Sequence, residues 1–451
     1  MARSSTPYVA DDAGITLESL DFLHAQPGAP LLHAALTLAA ETHAPSVADI
    51  DRLRQEFPAP HVRAAMTLAH IQKKGLAKFP GLTFLWATPE ALEQASHLVV
   101  ARWKARRFAT AGAAEIIDLC AGVGGDALAL AESAAVTAVE LSPVRARCLE
   151  FNAAQTSQHL QVIVGDLRDL LPHLPPKAMF HIDPARRSGG RRSARYEDLL
   201  PGPDVLATVM THFGVGGVGP AASERKLGRD GGGGGAIKLS PAVDFDSLPQ
   251  LPGGHLELLS HQRTVVQAVL WLGTIGEQLG RGGGSATCRT ATILTGNTTP
   301  EAFSYSAEPA AARPADKLLE PPFYLYEVDG AVTRAGIAAS LARDLHLQPL
   351  TQDAGYLQGA APMAHPALTG FRIHIVVPYS KQRVATALQA LPSPPDQSHA
   401  ASLEVKSRGP NLQGIDTDQL QRHLKKAAPP NTTVLLFSHR GDVQAAVGHR
   451  A

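Results

Sequence analysis

The stretch DLCAGVGGDALAL, residues 118–130, closes a short apolar run and opens a helical pattern. Between them, Gly122, Gly124 and Gly125 allow positive φ and close backbone approach, and the helix start offers unpaired N–H groups. That is the chemistry of a loop that holds a nucleotide-like ligand. Carboxylates recur at the ends of the apolar runs that follow: Glu140 after VTAVE, Asp166 after VIVGD and Asp183 after FHID. In an open α/β sheet such strand ends share one edge, where ligands bind. Glu140 can accept hydrogen bonds from ribose hydroxyls, and Asp166 can reach an adenine amine. The opposing reading is that these are loop carboxylates capping helices.

After Asp183-Pro184 come Arg186, Arg187, Arg191, Arg192 and Arg195. Arginine forks match phosphate oxygens, so this run is a candidate substrate-binding segment. The alternative is a solvated loop paired to Glu197 and Asp198. Tyr196 is a candidate stacking surface. Lys73, Lys74, Lys78, Arg102, Lys104, Arg106 and Arg107 either extend a basic patch or form a solvated helix face. His181 reads as a strand-face histidine rather than a base.

These residues need elements to position them. From about 114, apolar runs alternate with helical segments, which predicts a parallel sheet. Later strands are expected at 236–240, 264–272 and 287–294. Residues 15–107 read as helices, with Thr88 before Pro89 as an N-cap. Glycine-rich stretches at 214–236 and 280–285 read as insertions, and 307–322 as a connecting segment. Residues 323–370 read as a strand, a turn and a helix. From Phe371 a βαβαβ order predicts a small α+β domain. The expected domains are therefore 1–107, 108–299, a linker over 300–322, a connecting piece over 323–370, and 371–451.

Lysine plus arginine equals aspartate plus glutamate, 41 each, so any nucleic-acid role must come from local patches. Cys120, Cys148 and Cys288 form no CxxC pair, which fits a reducing cytoplasm and argues against disulfides or structural zinc. No signal peptide, membrane span or metal-ligand spacing is apparent, so neither membrane nor metal is expected.

The arrangement at 118–126 resembles the first motif of class I S-adenosylmethionine-dependent methyltransferases, an α/β fold with a Rossmann-like sheet. The resemblance implies S-adenosylmethionine as cofactor. It assigns the methionine part to Asp118, Ala121, Gly122, Gly124, Gly125 and Asp126, the ribose to Glu140 and adenine to Asp166. DLCAGVGGDALALA, HIDPARRSGGRR, IKLSPAVDF and SLEVKSRG with DTDQLQRHLKK resemble a bacterial subgroup with a THUMP-like C-terminal domain. That implies RNA, tRNA or rRNA, as partner. Asp183 and Pro184 stand where amine-directed members carry Asn/Asp-Pro-Pro-aromatic, and Ala185-Arg186 depart from that pattern. Uridine C5 chemistry would need a cysteine on the next strand, where AIKLSP has Lys238 and Ser240. The expected function is RNA methylation at a base nitrogen. The alternatives are an RNA-binding module that retains cofactor, and a methyltransferase acting on a small molecule or protein.

Overall fold

A computed structural model describes residues 14–41, 45–156, 158–186, 195–215, 233–248, 251, 253–281, 288–392, 403–409, 412, 414–426 and 428–451. The chain forms two compact units. The first comprises Met1–Gly254, Leu270–Gln278 and Gly296–Pro300, and the second His255–Val269, Leu279–Thr295 and Glu301–Ala451.

The first unit opens with helices α1 (Leu17–His24), α2 (Ala29–Ala40), α3 (Val47–Glu56), α4 (Ala59–Lys78), α5 (Pro89–Gln94) and α6 (Leu98–Thr110). Thr88 caps α5 as its sequence indicates, its hydroxyl accepting from Ala91 N at 3.2 Å. The sheet follows: β1 (Glu115–Leu119), α7 (Ala127–Leu130), β2 (Ala135–Glu140), α8 (Pro143–Ala153), β3 (Leu160–Val164), α9 (Leu167–Leu170) and β4 (Met179–Ile182). Next come a two-stranded ribbon of β5 (Ala185–Arg186) and β6 (Leu199–Leu200), then α10 (Pro203–His212) and β7 (Gly234–Leu239). The strands lie in the order β7-β4-β1-β2-β3, all parallel. The chain passes from β1 to β2 on one side and from β4 to β7 on the other, so the C-terminal ends of β1 and β4 frame the crevice where such sheets bind ligands.

The helices of residues 17–110 share this unit with the sheet. Asn152 on α8 donates to Trp86 O at 2.9 Å and to Val123 O at 3.0 Å, and accepts from Trp86 N at 2.9 Å. One buried amide thus pins the segment before α5 to the glycine loop. Phe151 packs edge-on against Trp86 at 5.0 Å.

β8 (His255–His261), β9 (Thr264–Leu272) and α11 (Gly273–Arg281) follow. In the second unit β10 (Arg289–Thr295) pairs parallel with β8 and antiparallel with β11 (Glu301–Ala307). Then come β12 (Phe323–Val328), α12 (Gly330–Arg334), α13 (Ala338–Asp344), β13 (Gln348–Pro349), β14 (Tyr356–Gly359), β15 (Leu368–Pro378), α14 (Lys381–Gln389), β16 (Leu403–Arg408), α15 (Thr417–Leu424), β17 (Thr432–His439) and β18 (Asp442–Arg450). The order β13-β14-β12-β15-β18-β17-β16 makes one sheet. One apolar cluster joins it to α14 and α15, with Val384 and Leu388 from α14, Leu420 and Leu424 from α15, and Val434 and Leu436 from β17. The expected βαβαβ run is present, extended by β18.

Most of the glycine-rich stretch 214–236 and of 280–285 lies outside the described residues.

Candidate active site

β1 ends in the glycine loop. Cys120 takes φ 60°, Gly122 φ 60° and Gly124 φ 97°. A Cβ placed on Gly122 would enter open space, whereas one on Gly125 would come within 2.9 Å of Ser96 N. Gly122 therefore leaves its side open to a ligand, and Gly125 lets the α5–α6 connection press onto the loop. Ala121 is buried, its N–H donating to Val139 O at 3.1 Å.

Beneath the loop runs a buried polar chain. The register sets Asp118 beside His181 on the neighbouring strand, and His181 Nδ1 lies 2.7 Å from Asp118 Oδ1. Lys104, on α6, reaches in and is fully buried. Its Nζ lies 2.6 Å from Asp126 Oδ1, 3.2 Å from His181 Nε2 and 3.5 Å from Ser96 Oγ. Ser96 donates to Asp126 Oδ2 at 2.8 Å. An ammonium only donates, so His181 Nε2 accepts and its Nδ1–H donates to Asp118. Burial alone would raise Asp126, but the Lys104 ammonium, with that of Lys238, overcomes it and holds its carboxyl well below the usual range. Burial outweighs Asp126 at Lys104 and lowers its ammonium. Asp118 is pushed up by burial, against the pull of His181. Asp118 Oδ2 is buried with no hydrogen-bond partner among the described residues.

Glu140 is buried, and its carboxylate accepts from Gly122 N at 2.8 Å and Ser142 N at 2.9 Å. It thereby fastens the loop. Asp166 caps α9, accepting from Arg168 N at 2.9 Å, and pairs with the Arg168 guanidinium at 2.6 Å. Asp183 follows β4, its N–H donating to Leu119 O at 3.2 Å, with Pro184 buried beside it. The geometry thus brings Asp118, the glycine loop, Asp126, Glu140 and Asp183 to one sheet edge, with Asp166 at the end of β3.

The basic residues behave differently. Lys104 belongs to neither a patch nor a solvated face, because its charge is matched inside the protein. Lys78 caps α5, donating to Leu92 O at 2.7 Å and Ala95 O at 3.2 Å. Lys74 pairs with Glu93, and Arg102 with Glu132 at 2.7 Å. The Arg107 guanidinium lies 4.5 Å from the Trp103 ring centre. Arg195 pairs with Glu197 at 3.2 Å. Arg187, Arg191 and Arg192 lie outside the described residues, as does the side chain of Arg186. Tyr196 is buried, with its phenol pushed to about 12 by burial, so it offers no face for stacking.

Two uncharacterized S-adenosylmethionine-dependent methyltransferases from strains of Mycobacterium tuberculosis are each 30% identical over 341 residues, 75% of this chain and 80% of theirs. The chain belongs to the S-adenosylmethionine-dependent methyltransferases. No protein-family model matches it. A Porphyromonas gingivalis crystal structure described as a candidate methyltransferase shares the fold, with a TM-score of 0.66 at 19% identity, covering 94% of this chain and 98% of that one.

S-adenosylmethionine is thus the cofactor of this methyltransferase, and the residues fit it. Gly122 leaves open space, and the orphaned Asp118 Oδ2 can accept from a cationic group. Leu141 and Val164, which the sequence reading overlooked, expose large apolar side chains where β2 and β3 end. Lys104, Ser96 and Lys238 were also missed as site residues. The only sequence signal for Lys104 was a charge amid the apolar pattern of α6.

Proposed function

We propose that this methyltransferase methylates a base nitrogen of RNA, with Asp183 as the group that accepts the nitrogen's proton. The observation that carries the reading is the placement of Asp183-Pro184 at the end of β4, hydrogen-bonded to the strand that feeds the glycine loop. Asp118 and the loop from Ala121 to Asp126 hold the methionine part, Glu140 the ribose, and Asp166 with Leu141 and Val164 the adenine. Arg168 then shares Asp166 with the adenine amine. The cofactor supplies a methyl already activated on a sulfonium, so the protein's work is alignment and proton acceptance.

Cys120 supports nitrogen over thiolate chemistry. Burial, with Glu140, Asp183, Asp118 and Asp166 around it, pushes its thiol well above the usual range. The RNA assignment rests on the arginine run from Arg186 to Arg195 and on the likeness of the C-terminal segment to THUMP-like domains. The pairing of Arg195 with Glu197 and the burial of Tyr196 favour the second reading, a small-molecule or protein acceptor. Radiolabelled transfer from S-adenosylmethionine to total RNA from cells lacking the gene tests the choice. Label in RNA with wild type but not with Asp183→Ala supports the proposal. Label confined to protein or small-molecule fractions overturns the RNA assignment.

A further inference from the structure

Lys238 lies near the end of β7, which pairs with β4 through Ile182↔Ile237. That register puts Lys238 beside Asp183, the residue after Ile182. Lys238 Nζ lies 2.5 Å from Asp183 Oδ2, donates to Gln94 O at 3.2 Å and is 4.0 Å from Asp126 Oδ2. Its side chain is 11% exposed and that of Asp183 30%. The lysine is therefore the inner partner and the carboxylate the outer one. With two of its three N–H donors engaged by Asp183 and Gln94 and its side chain largely enclosed, Lys238 acts on an incoming acceptor through Asp183 rather than by touching it.

We infer that Lys238 is a positioning residue for methyl transfer, fixing the Asp183 carboxylate through Oδ2 so that Oδ1 accepts the proton of the acceptor nitrogen. The inference rests on the nitrogen-acceptor reading. The nitrogen lone pair forms the new N–C bond while the C–S bond breaks, its electron pair going to sulfur. The N–H proton passes to Asp183 Oδ1. That step needs an ionised carboxylate, yet Asp183 stands near a second one, Asp126. An ammonium between them removes the repulsion and leaves one rotamer.

The charged groups around Lys238 come from every neighbouring element: Asp183 after β4, Asp126 before α7, Asp118 on β1, Lys104 on α6 and Lys78 on α4. Burial works against the ammonium, but Asp183 and then Asp126 overcome it and hold it above the usual lysine range. The same lysine bonds Gln94 O, so it also fixes the end of α5 against the carboxylate.

The test uses the full chain with Lys238→Met, Lys238→Arg, Asp183→Asn and the double variant of Lys238→Met with Asp183→Asn. Lys238→Met should lower kcat for label transfer to RNA by about 100-fold, the scale of a general-base contribution. Lys238→Arg should recover most of it. Calorimetric affinity for S-adenosylmethionine should fall far less than kcat, since Asp126 keeps the closer ammonium of Lys104. The double variant should be no slower than Asp183→Asn alone, because a residue acting through Asp183 adds nothing once Asp183 is gone. Wild-type kcat in Lys238→Met, or additive losses in the double variant, would overturn the inference.

A second measurement needs no acceptor. In lysine labelled with carbon-13 at Cε, the Lys238 signal, assigned by its loss in Lys238→Met, should titrate at lower pH in Asp183→Asn than in wild type. An unchanged titration would overturn the coupling. Absence of label in RNA with wild type would remove the RNA reading while the lysine titration still decides this one.

Discussion

Lys104 Nζ lies 2.6 Å from Asp126 Oδ1, and the lysine side chain is wholly enclosed. A helix that precedes the sheet therefore supplies the counter-charge for the last residue of the glycine loop. Asp126, Ser96 and His181 all lie within 3.5 Å of that ammonium. Removing one partner of a buried pair leaves the other uncompensated, which costs about 3–5 kcal/mol. Lys104→Met should lose about that much in denaturant unfolding, together with most S-adenosylmethionine affinity by calorimetry. An unaltered cofactor affinity in a folded variant would mean that the loop stands without α6.

Asp118 gives a pH dependence whose sign follows from its burial. Its carboxyl is raised in the free protein. A cationic group bound against Oδ2 favours the ionised form, so binding expels a proton wherever the carboxyl was still protonated. S-adenosylmethionine affinity should rise as pH climbs through the range of the raised carboxyl and level off above it. Calorimetry at mildly acid pH in two buffers of different ionisation enthalpy should show proton release. Asp118→Asn should show none.

Gly125 packs where a Cβ would come within 2.9 Å of Ser96 N, a backbone atom with little freedom to yield. Gly125→Ala should push the α5–α6 connection off the loop and loosen the Ser96–Asp126 bond. The expected result is about tenfold weaker cofactor binding, equivalent to about 1.4 kcal/mol. Gly122→Ala provides a contrast. It meets no protein atom, so its penalty comes from φ 60° and from the ligand side alone.

Cys120 should be chemically quiet. Its thiol is held above the usual range by burial and by four surrounding carboxylates. Iodoacetamide at neutral pH should leave it unmodified in the native protein and label it after unfolding, as mass spectrometry of the peptide would show. Rapid labelling in the native state would return thiolate chemistry to consideration.

The strands and helices from β1 to β4 were legible because their cues are local. Apolar runs of strand length end in carboxylates, and glycines stand where the backbone needs positive φ. The hairpin between β17 and β18 was overlooked despite a local cue. Arg440 and Gly441 take φ 54° and 92°, and glycine in a short turn between apolar runs marks such a hairpin.

By itself the sequence determined the glycine loop, the edge on which Asp118, Glu140, Asp166 and Asp183 fall, and the alternating pattern that orders them. Each of these follows from spacing along one segment. Only the tertiary structure decided that Lys104 is buried, that Lys238 holds Asp183 and that His181 joins Asp118 to Lys104. A lysine in a helical pattern reads as solvated because burying a lone charge is prohibitively costly. What makes the burial tolerable here is a set of partners from other elements, Asp126, Ser96 and His181, brought within hydrogen-bonding reach by packing that no local window of residues encodes.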